Sequence, residues 1–314
     1  MKILILMMTC DGFYEEQGNI MKASLQSIIN KLNLQDNISL YSYIGDNKEK
    51  YINEDTKTIY LTSPDTFDYT YIKTIEAFEF INDNNFEYDF LVRINTSEFI
   101  NIKLLYELCK IIKDDNKLYK KSYCCQLVSF KNPISMSYAP FAGNPILQGK
   151  FMMFSKEIIK QIIENKYILY DKKYPNAGYW VTPNKISCVD DVSISSVLNI
   201  LNKDKKYNDY LSCVMNLQIC INDITYDDVK KYITICVKKE NDLNKERIYY
   251  LRNLFIDNCL HDVKNEVQIN VKKINNPTVY TYINKHIYIY LKDLDKFNNK
   301  VLSNMKHIIL RNEN

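Results

Sequence analysis

The chain has 314 residues, 46% hydrophobic and 25% charged, enough to bury a sizeable core in one large α/β domain with an appendage or in two modest domains. Its 41 Lys and Arg against 38 Asp and Glu leave a net charge of +3 with no long basic block, which argues against nucleic acid as a partner. No stretch approaches the roughly 20 apolar residues that span a bilayer, so no transmembrane segment is expected.

In chain order, Lys2–Met8 is a near-continuous apolar run that ends at Thr9-Cys10-Asp11-Gly12. It reads as a buried first strand rather than a secretory leader, because Asp11, Glu15 and Glu16 follow it where a leader carries small residues. From Glu15 to Leu32, apolar residues at Ile20, Met21, Leu25, Ile28, Ile29 and Leu32 recur at helical spacing. Strands are expected at Ile38–Ile44, ending in Gly45-Asp46, and at Thr58–Leu61, stopped by Ser63-Pro64-Asp65. A helix from Tyr69 to Asn82, a strand from Tyr88 to Asn95 and a helix from Ile102 to Ile112 follow. This alternation predicts a mostly parallel, doubly wound sheet flanked by helices, with polar strand ends gathered around Asp11, Asp46 and Asn95.

The middle changes character. Ser122–Phe130 and Lys150–Phe154 read as strands, and Ser155 as the N-cap of a helix Lys156–Asn165. An irregular loop, Tyr174–Asn184, carries Tyr179 and the single Trp, Trp180, and leads into Asp190-Asp191 and a helix Ser193–Leu201. Helices are expected at Asn244–Asn258 and Leu291–Met305, so residues 1–235 form the main domain and 236–314 a mainly helical extension packed on it.

Nine scattered cysteines with no C-x-x-C pair disfavour zinc ribbons and a disulfide framework, and are read as reduced thiols of a cytoplasmic protein. His261, His286 and His307 all fall late, which disfavours Ser-His-Asp or Cys-His catalysis. No Gly-rich phosphate loop is present, which disfavours dinucleotide oxidoreductases and P-loop enzymes.

Four ordered pieces remain: Asp65-x-Phe67-x-x-x-x-Ile72-Lys73-Thr74, Tyr88 through Phe99, Gly149 through Glu157, and Asp190-Asp191-Val192-Ser193-Ile194. Read without any family, each has a plain explanation. Asp190 and Asp191 suit the cap of the helix that follows them. Lys73 and Arg93 suit surface cations, although Arg93 in so apolar a strand needs a partner. Thr9, Cys10 and Asp11 suit a turn. Tyr179 and Trp180 suit loop packing, and Met152 and Met153 suit core.

In their order and spacing the four pieces resemble the β-1,3-galactosyltransferase and Fringe-like glycosyltransferases of the GT-A fold, over residues 1–200. That family carries a Lys-Thr pair in a helix, a strand ending in three aspartates, a Gly-x-x-x-x-x-Ser segment and an acidic-Asp-Val motif heading a helix. The resemblance implies a GT-A fold and transfer of a sugar from a nucleotide-sugar donor, UDP-linked by analogy, to a hydroxyl of a glycan or glycoconjugate. It makes Asp191 the general base of an inverting displacement. Beside it, Asp190 is a candidate to hydrogen-bond acceptor hydroxyls, and Tyr179 and Trp180 are candidates for an apolar wall against the acceptor sugar ring. Thr9, Cys10, Asp11, Lys73, Arg93, Asn95 and Ser97 fall towards the donor.

The departure lies at Asn95-Thr96-Ser97, where the family has its aspartates and a divalent metal such as Mn²⁺ or Mg²⁺. Neutral oxygens hold a hard cation poorly. Either Lys73 and Arg93 neutralise the diphosphate without metal, or Asn95 and Ser97 keep the metal weakly, or the chain is a non-catalytic nucleotide- or carbohydrate-binding module.

Overall fold

Alternation along the first strand sets the architecture. In β1 (Ile3–Met8) Ile3, Ile5 and Met7 enter one core while Leu4 and Leu6 enter another, all at most 1% exposed. A strand apolar on both sides requires cover on both faces of its sheet. That cover is present in the computed structural model, which describes residues 1–120, 122–124, 127–128, 146–147, 149–168, 180–182, 185–187, 190–203, 211–214, 233–239, 242–243, 245–259, 268–273 and 286–291.

One face carries α1 (Phe13–Lys31), α3 (Ile102–Asp114) and α7 (Lys245–Cys259), whose Leu25, Leu108 and Leu251 share a core with Ile5 and Val92. The short α4 (Asn116–Tyr119) follows α3 in the chain. The other face carries α2 (Thr70–Asp83), α5 (Lys156–Glu164) and α6 (Asp190–Lys203), whose Phe78, Ile158 and Val197 pack with Leu6 and Leu91. The fold is therefore α/β and doubly wound, as expected.

Among the described residues the central sheet has ten strands in the order β17-β18-β13-β7-β10-β5-β1-β2-β4-β3. Its parallel heart is β5 (Phe90–Asn95), β1, β2 (Ile38–Ile44) and β4 (Thr58–Tyr60), with the short β3 (Tyr51–Asn53) antiparallel at the edge. On the other side β10 (Phe151–Ser155) runs antiparallel to both β5 and β7 (Ser122–Cys124). Parallel pairing resumes at β7 with β13 (Leu211–Val214). β18 (His286–Leu291) lies antiparallel to β13 and parallel to β17 (Gln268–Lys273).

Local signals explain several element ends. Ser155 caps α5 by accepting from the Ile158 amide at 3.5 Å, and Asn101 caps α3 by accepting from Leu104 at 3.0 Å. Gly12, at φ 76°, makes the turn from β1 into α1. Among the described residues no helix is long and apolar enough to cross a membrane.

The structure corrects the sequence reading in places. α6 begins at Asp190 rather than Ser193, because the acidic pair forms the first helical turn. Of the strand expected over Ser122–Phe130, Ser122–Cys124 joins the central sheet, and 125–126 lie outside the described residues. Leu127–Val128 (β8) pairs separately with Ile146–Leu147 (β9), and 129–145 lie outside the described residues. At the end of the irregular loop Trp180–Thr182 (β11) pairs antiparallel with Lys185–Ser187 (β12), and 183–184 lie outside the described residues. Two three-residue strands, β3 and β6 (Glu98–Ile100), are too short to show alternation.

The boundary expected at 235 falls inside β14 (Thr234–Cys236), which pairs with β6, while Val237, Ile248 and Leu251 enter the core shared with β1. Nor is 236–314 mainly helical where described: it holds α7, the short strands Lys238–Lys239 (β15) and Asp242–Leu243 (β16), and the sheet strands β17 and β18. His286-Ile-Tyr-Ile-Tyr-Leu291 has a period-two pattern that suits a strand. The helix expected over Leu291–Met305 starts on the last residue of β18, and 292–305 lie outside the described residues.

Candidate functional site

The parallel strands β1, β2, β4 and β5 end on one edge, where ligands of open α/β sheets bind. That edge gathers Thr9-Cys10-Asp11, Gly45-Asp46, Asn95-Thr96-Ser97 and, because β10 runs the other way, the Gly149-Lys150 turn that precedes it. The head of α6 closes over the same place. Two networks of buried charge occupy it.

The first joins the ends of β1, β2 and β4. Lys73 reaches up from α2, donates to the Thr9 carbonyl at 2.9 Å and pairs with Asp65, both side chains being 3% exposed. Asp65 also accepts from the Asp11 amide at 3.1 Å, while its own amide donates to Asp46 at 3.0 Å. Gly45 is obligatory beneath it, since a Cβ there would lie 2.3 Å from the Ser63 carbonyl oxygen. Burial, with Asp65 adding to it and Lys73 opposing, raises the Cys10 thiol above its ordinary value, so Cys10 is no activated nucleophile.

The second network centres on Arg93, 0% exposed within β5. One guanidinium nitrogen meets Asp190 Oδ2 at 2.5 Å and Met8 Sδ at 3.1 Å. The other meets Asn95 Oδ1 at 2.6 Å and the Gly149 carbonyl. Nε has no acceptor among the described residues. Asp190 is buried too: its amide donates to Thr70 Oγ1 at 3.2 Å, and Thr74 Oγ1 lies 3.3 Å from its carboxylate and 2.9 Å from the Tyr43 hydroxyl. Burial raises the Asp190 carboxyl, and Arg93 pulls it back.

Asp191 differs. It is partly exposed, its Oδ2 accepting from the Gly149 amide at 3.1 Å and its Oδ1 from the Val192 amide at 2.7 Å. Burial first, then the adjacent Asp190 charge, push its pKa from 3.8 up to about 6, against the pull of the Gly149 amide and Arg93. The simple cap reading thus fails for Asp190, whose carboxylate serves Arg93, and covers only one oxygen of Asp191.

The edge brings together Thr9, Asp11, Lys73, Arg93, Asn95, Asp190 and Asp191, but redistributes their roles. Lys73 and Arg93, expected to face a diphosphate, are already matched by Asp65 and Asp190, as buried cations require. Asp190, 3% exposed, is closed to an acceptor sugar. Ser97 is tied by its carbonyl to the Val237 amide at 2.9 Å. Tyr179 lies outside the described residues, and Trp180 is placed only by its backbone in β11.

The residues at the position of the family's metal do not fit one. Asn95 Oδ1 is committed to a guanidinium, a cation where a second cation would be repelled. Among the described residues no group of three or more His, Cys, Asp or Glu gathers to hold an ion.

Gly149 and Lys150 entered the sequence reading only as the start of the Gly149–Glu157 piece, with no site role of their own. A Cβ on Gly149 would lie 2.9 to 3.1 Å from three atoms of Asp191. Lys150 stands opposite Asn95, whose amide donates to its carbonyl at 3.3 Å, and no described carboxylate pairs with its ammonium. The signal available was a glycine and a lysine placed directly before an apolar strand.

No protein-family model matches the chain, and no curated protein matches it significantly. Among solved structures it is similar to a glycosyltransferase involved in glycosylation of the major capsid of PBCV-1, with TM-score 0.42 and 10% identity, covering 80% of this chain and 98% of that one. It is similar to the glycosyltransferase GlyE of Streptococcus pneumoniae TIGR4, with TM-score 0.41 and 10% identity, covering 86% and 68%. A galactosyltransferase, LgtC, solved with donor and acceptor sugar analogs, gives TM-score 0.35 at 8% identity, covering 63% and 70%. All three are described as glycosyltransferases.

Proposed function

We propose that the chain is an inverting glycosyltransferase of GT-A type, which moves a sugar from a UDP-linked or similar nucleotide-sugar donor to a hydroxyl of a glycan or glycoconjugate without a metal ion. The observation that carries this reading is Asp191. It is a partly exposed carboxylate at the carboxyl edge of the sheet, held at both oxygens by amides and raised to about 6, the range in which a base accepts a proton near neutral pH.

In this reading the acceptor hydroxyl sits against Asp191 and attacks the anomeric carbon on the face opposite the diphosphate. The new C–O bond forms as the bond to the phosphate oxygen breaks. The electron pair leaves with the nucleoside diphosphate, and the hydroxyl proton passes to Asp191. Thr9 and Asp11 lie towards the nucleoside. With Lys73 and Arg93 engaged, Lys150 is the described cation assigned to the diphosphate.

The second reading, a non-catalytic sugar- or nucleotide-binding module, draws on Asn95-Thr96-Ser97. One experiment separates them. Thermal stabilisation is measured with UDP-, GDP-, CMP- and dTDP-sugars in Mn²⁺, Mg²⁺ or EDTA, and nucleotide release is followed for the wild type and Asp191→Asn. The transferase reading expects a donor-specific shift that survives EDTA, and turnover that Asp191→Asn removes while the shift remains. A shift without turnover supports a nucleotide-binding module, and no shift with any donor sinks the transferase reading in favour of a non-catalytic one.

A further inference from the structure

Arg93 was expected at the donor, yet its whole fork is turned into the protein. It links four pieces of chain: β5, which carries it; the end of β1, through Met8; the turn before β10, through the Gly149 carbonyl; and the head of α6, through Asp190. A lysine cannot replace such a fork, because one ammonium cannot reproduce two planar, divergent donor pairs.

Gly149 is the step that matters. Its carbonyl is held by Arg93 and its amide donates to Asp191 Oδ2 at 3.1 Å, so the two sides of one residue join the guanidinium to the carboxylate. The approach is so close that a Cβ on Gly149 would overlap Asp191. Asp190, next to Asp191 in the first turn of α6, is pinned by the same guanidinium and by Thr70 and Thr74 of α2. The Asp191 backbone is fixed as well, its carbonyl accepting from Ser195 Oγ at 2.5 Å, and Ser195 Oγ in turn accepts from the Leu147 amide at 2.8 Å.

We propose that Arg93 is a positioning residue, which fixes the Asp191 carboxylate through the Gly149 peptide and the Asp190 carboxylate and takes no part in holding the donor. The proposal rests on the reading of Asp191 as the base. Among the described residues, the charged groups that act on that carboxylate are Asp190 on its own helix and Arg93 from β5. Lys73 from α2 acts on Asp190, and Tyr43 from β2 lies against Arg93.

The test uses the full chain. In Arg93→Lys, which keeps the charge and loses the fork, kcat falls about 10- to 100-fold, the scale of a misplaced catalytic group. The Kd for the donor that stabilises the wild type stays within about twofold. In Asp190→Asn, which removes the negative neighbour and leaves Arg93 unopposed, the Asp191 carboxyl, followed by carboxyl-¹³C NMR with Asp191→Asn as the assignment control, titrates at lower pH than in the wild type. A donor Kd at least about tenfold weaker in Arg93→Lys, with kcat unchanged, would show Arg93 to be a donor ligand and overturn the proposal, as would an Asp191 titration that Asp190→Asn leaves in place. Wild-type chain without turnover on any donor instead sinks the transferase reading, while the NMR titration still decides whether Arg93 and Asp190 govern Asp191.

Discussion

Lys73–Asp65 and Arg93–Asp190 are two buried ion pairs on one sheet edge, and they end in different chemistry. The first is closed. Lys73 is met by a carboxylate and a carbonyl, Asp65 by an ammonium and an amide, and the network ties three strand ends together. The second leaves a carboxylate over. Arg93 neutralises Asp190, and Asp191 beside it stays partly exposed with its proton held up to about pH 6. A buried ion pair therefore acts as a strut when its partners saturate one another, and as a tuning device when a third ionisable group shares its site.

The largest expected effect bears on that leftover carboxylate. Asp191→Asn lowers kcat about 10²- to 10⁴-fold, the range of a lost general base, with donor-induced stabilisation intact in the same thermal assay. Next come the pairs themselves. Lys73→Met and Arg93→Met each strand a buried carboxylate and cost about 3–5 kcal/mol in urea denaturation. Replacing both partners sharpens the contrast. Lys73→Met with Asp65→Leu, and Arg93→Met with Asp190→Leu, both recover most of the stability, but only the first also recovers turnover. Equal turnover in the two double variants would erase the distinction between strut and tuning device.

Smaller in size is a pH effect confined to the second pair. Asp191 binds its proton more tightly folded than unfolded, so it favours folding below pH 3.8, and that contribution is lost as pH rises through about 6. Asp191→Asn should therefore raise stability at pH 7 by at most about 3 kcal/mol and flatten the pH dependence between 4 and 6 in a series of melts. The same proton gives kcat an acid limb near pH 6. Gly45→Ala, whose Cβ would overlap backbone, costs about 1–3 kcal/mol by the same denaturation measurement and touches only the closed network. Ser155→Ala, a lost helix cap away from both pairs, costs about 1 kcal/mol and leaves kcat unchanged.

Much of the core was legible because its signals are local. The apolar run Ile3–Met8, the helical spacing in α1 and the cap at Ser155 each lie within a few residues of what they specify. Asp190 and Asp191 stood out for the same reason. The partnership of Arg93 with Asp190 was not legible, although the need for a partner was. Nothing near Arg93 names a carboxylate 97 residues later, 190 − 93. The reach of the core past residue 235 was hidden too. Ile233, Ile235 and Val237 are a short alternation that finds its place only when β6 is beside it.

That last pairing gives the site a timetable. Ser97 is anchored by the amide of Val237, 140 residues downstream (237 − 97), and β6 has β14 as its partner. On a ribosome adding about 5–20 residues per second, the turn that follows Asn95 waits roughly 7–28 seconds for its brace to be made. Until then β6 is a bare edge open to strangers, so this edge is where a nascent or shortened chain is expected to call on a chaperone.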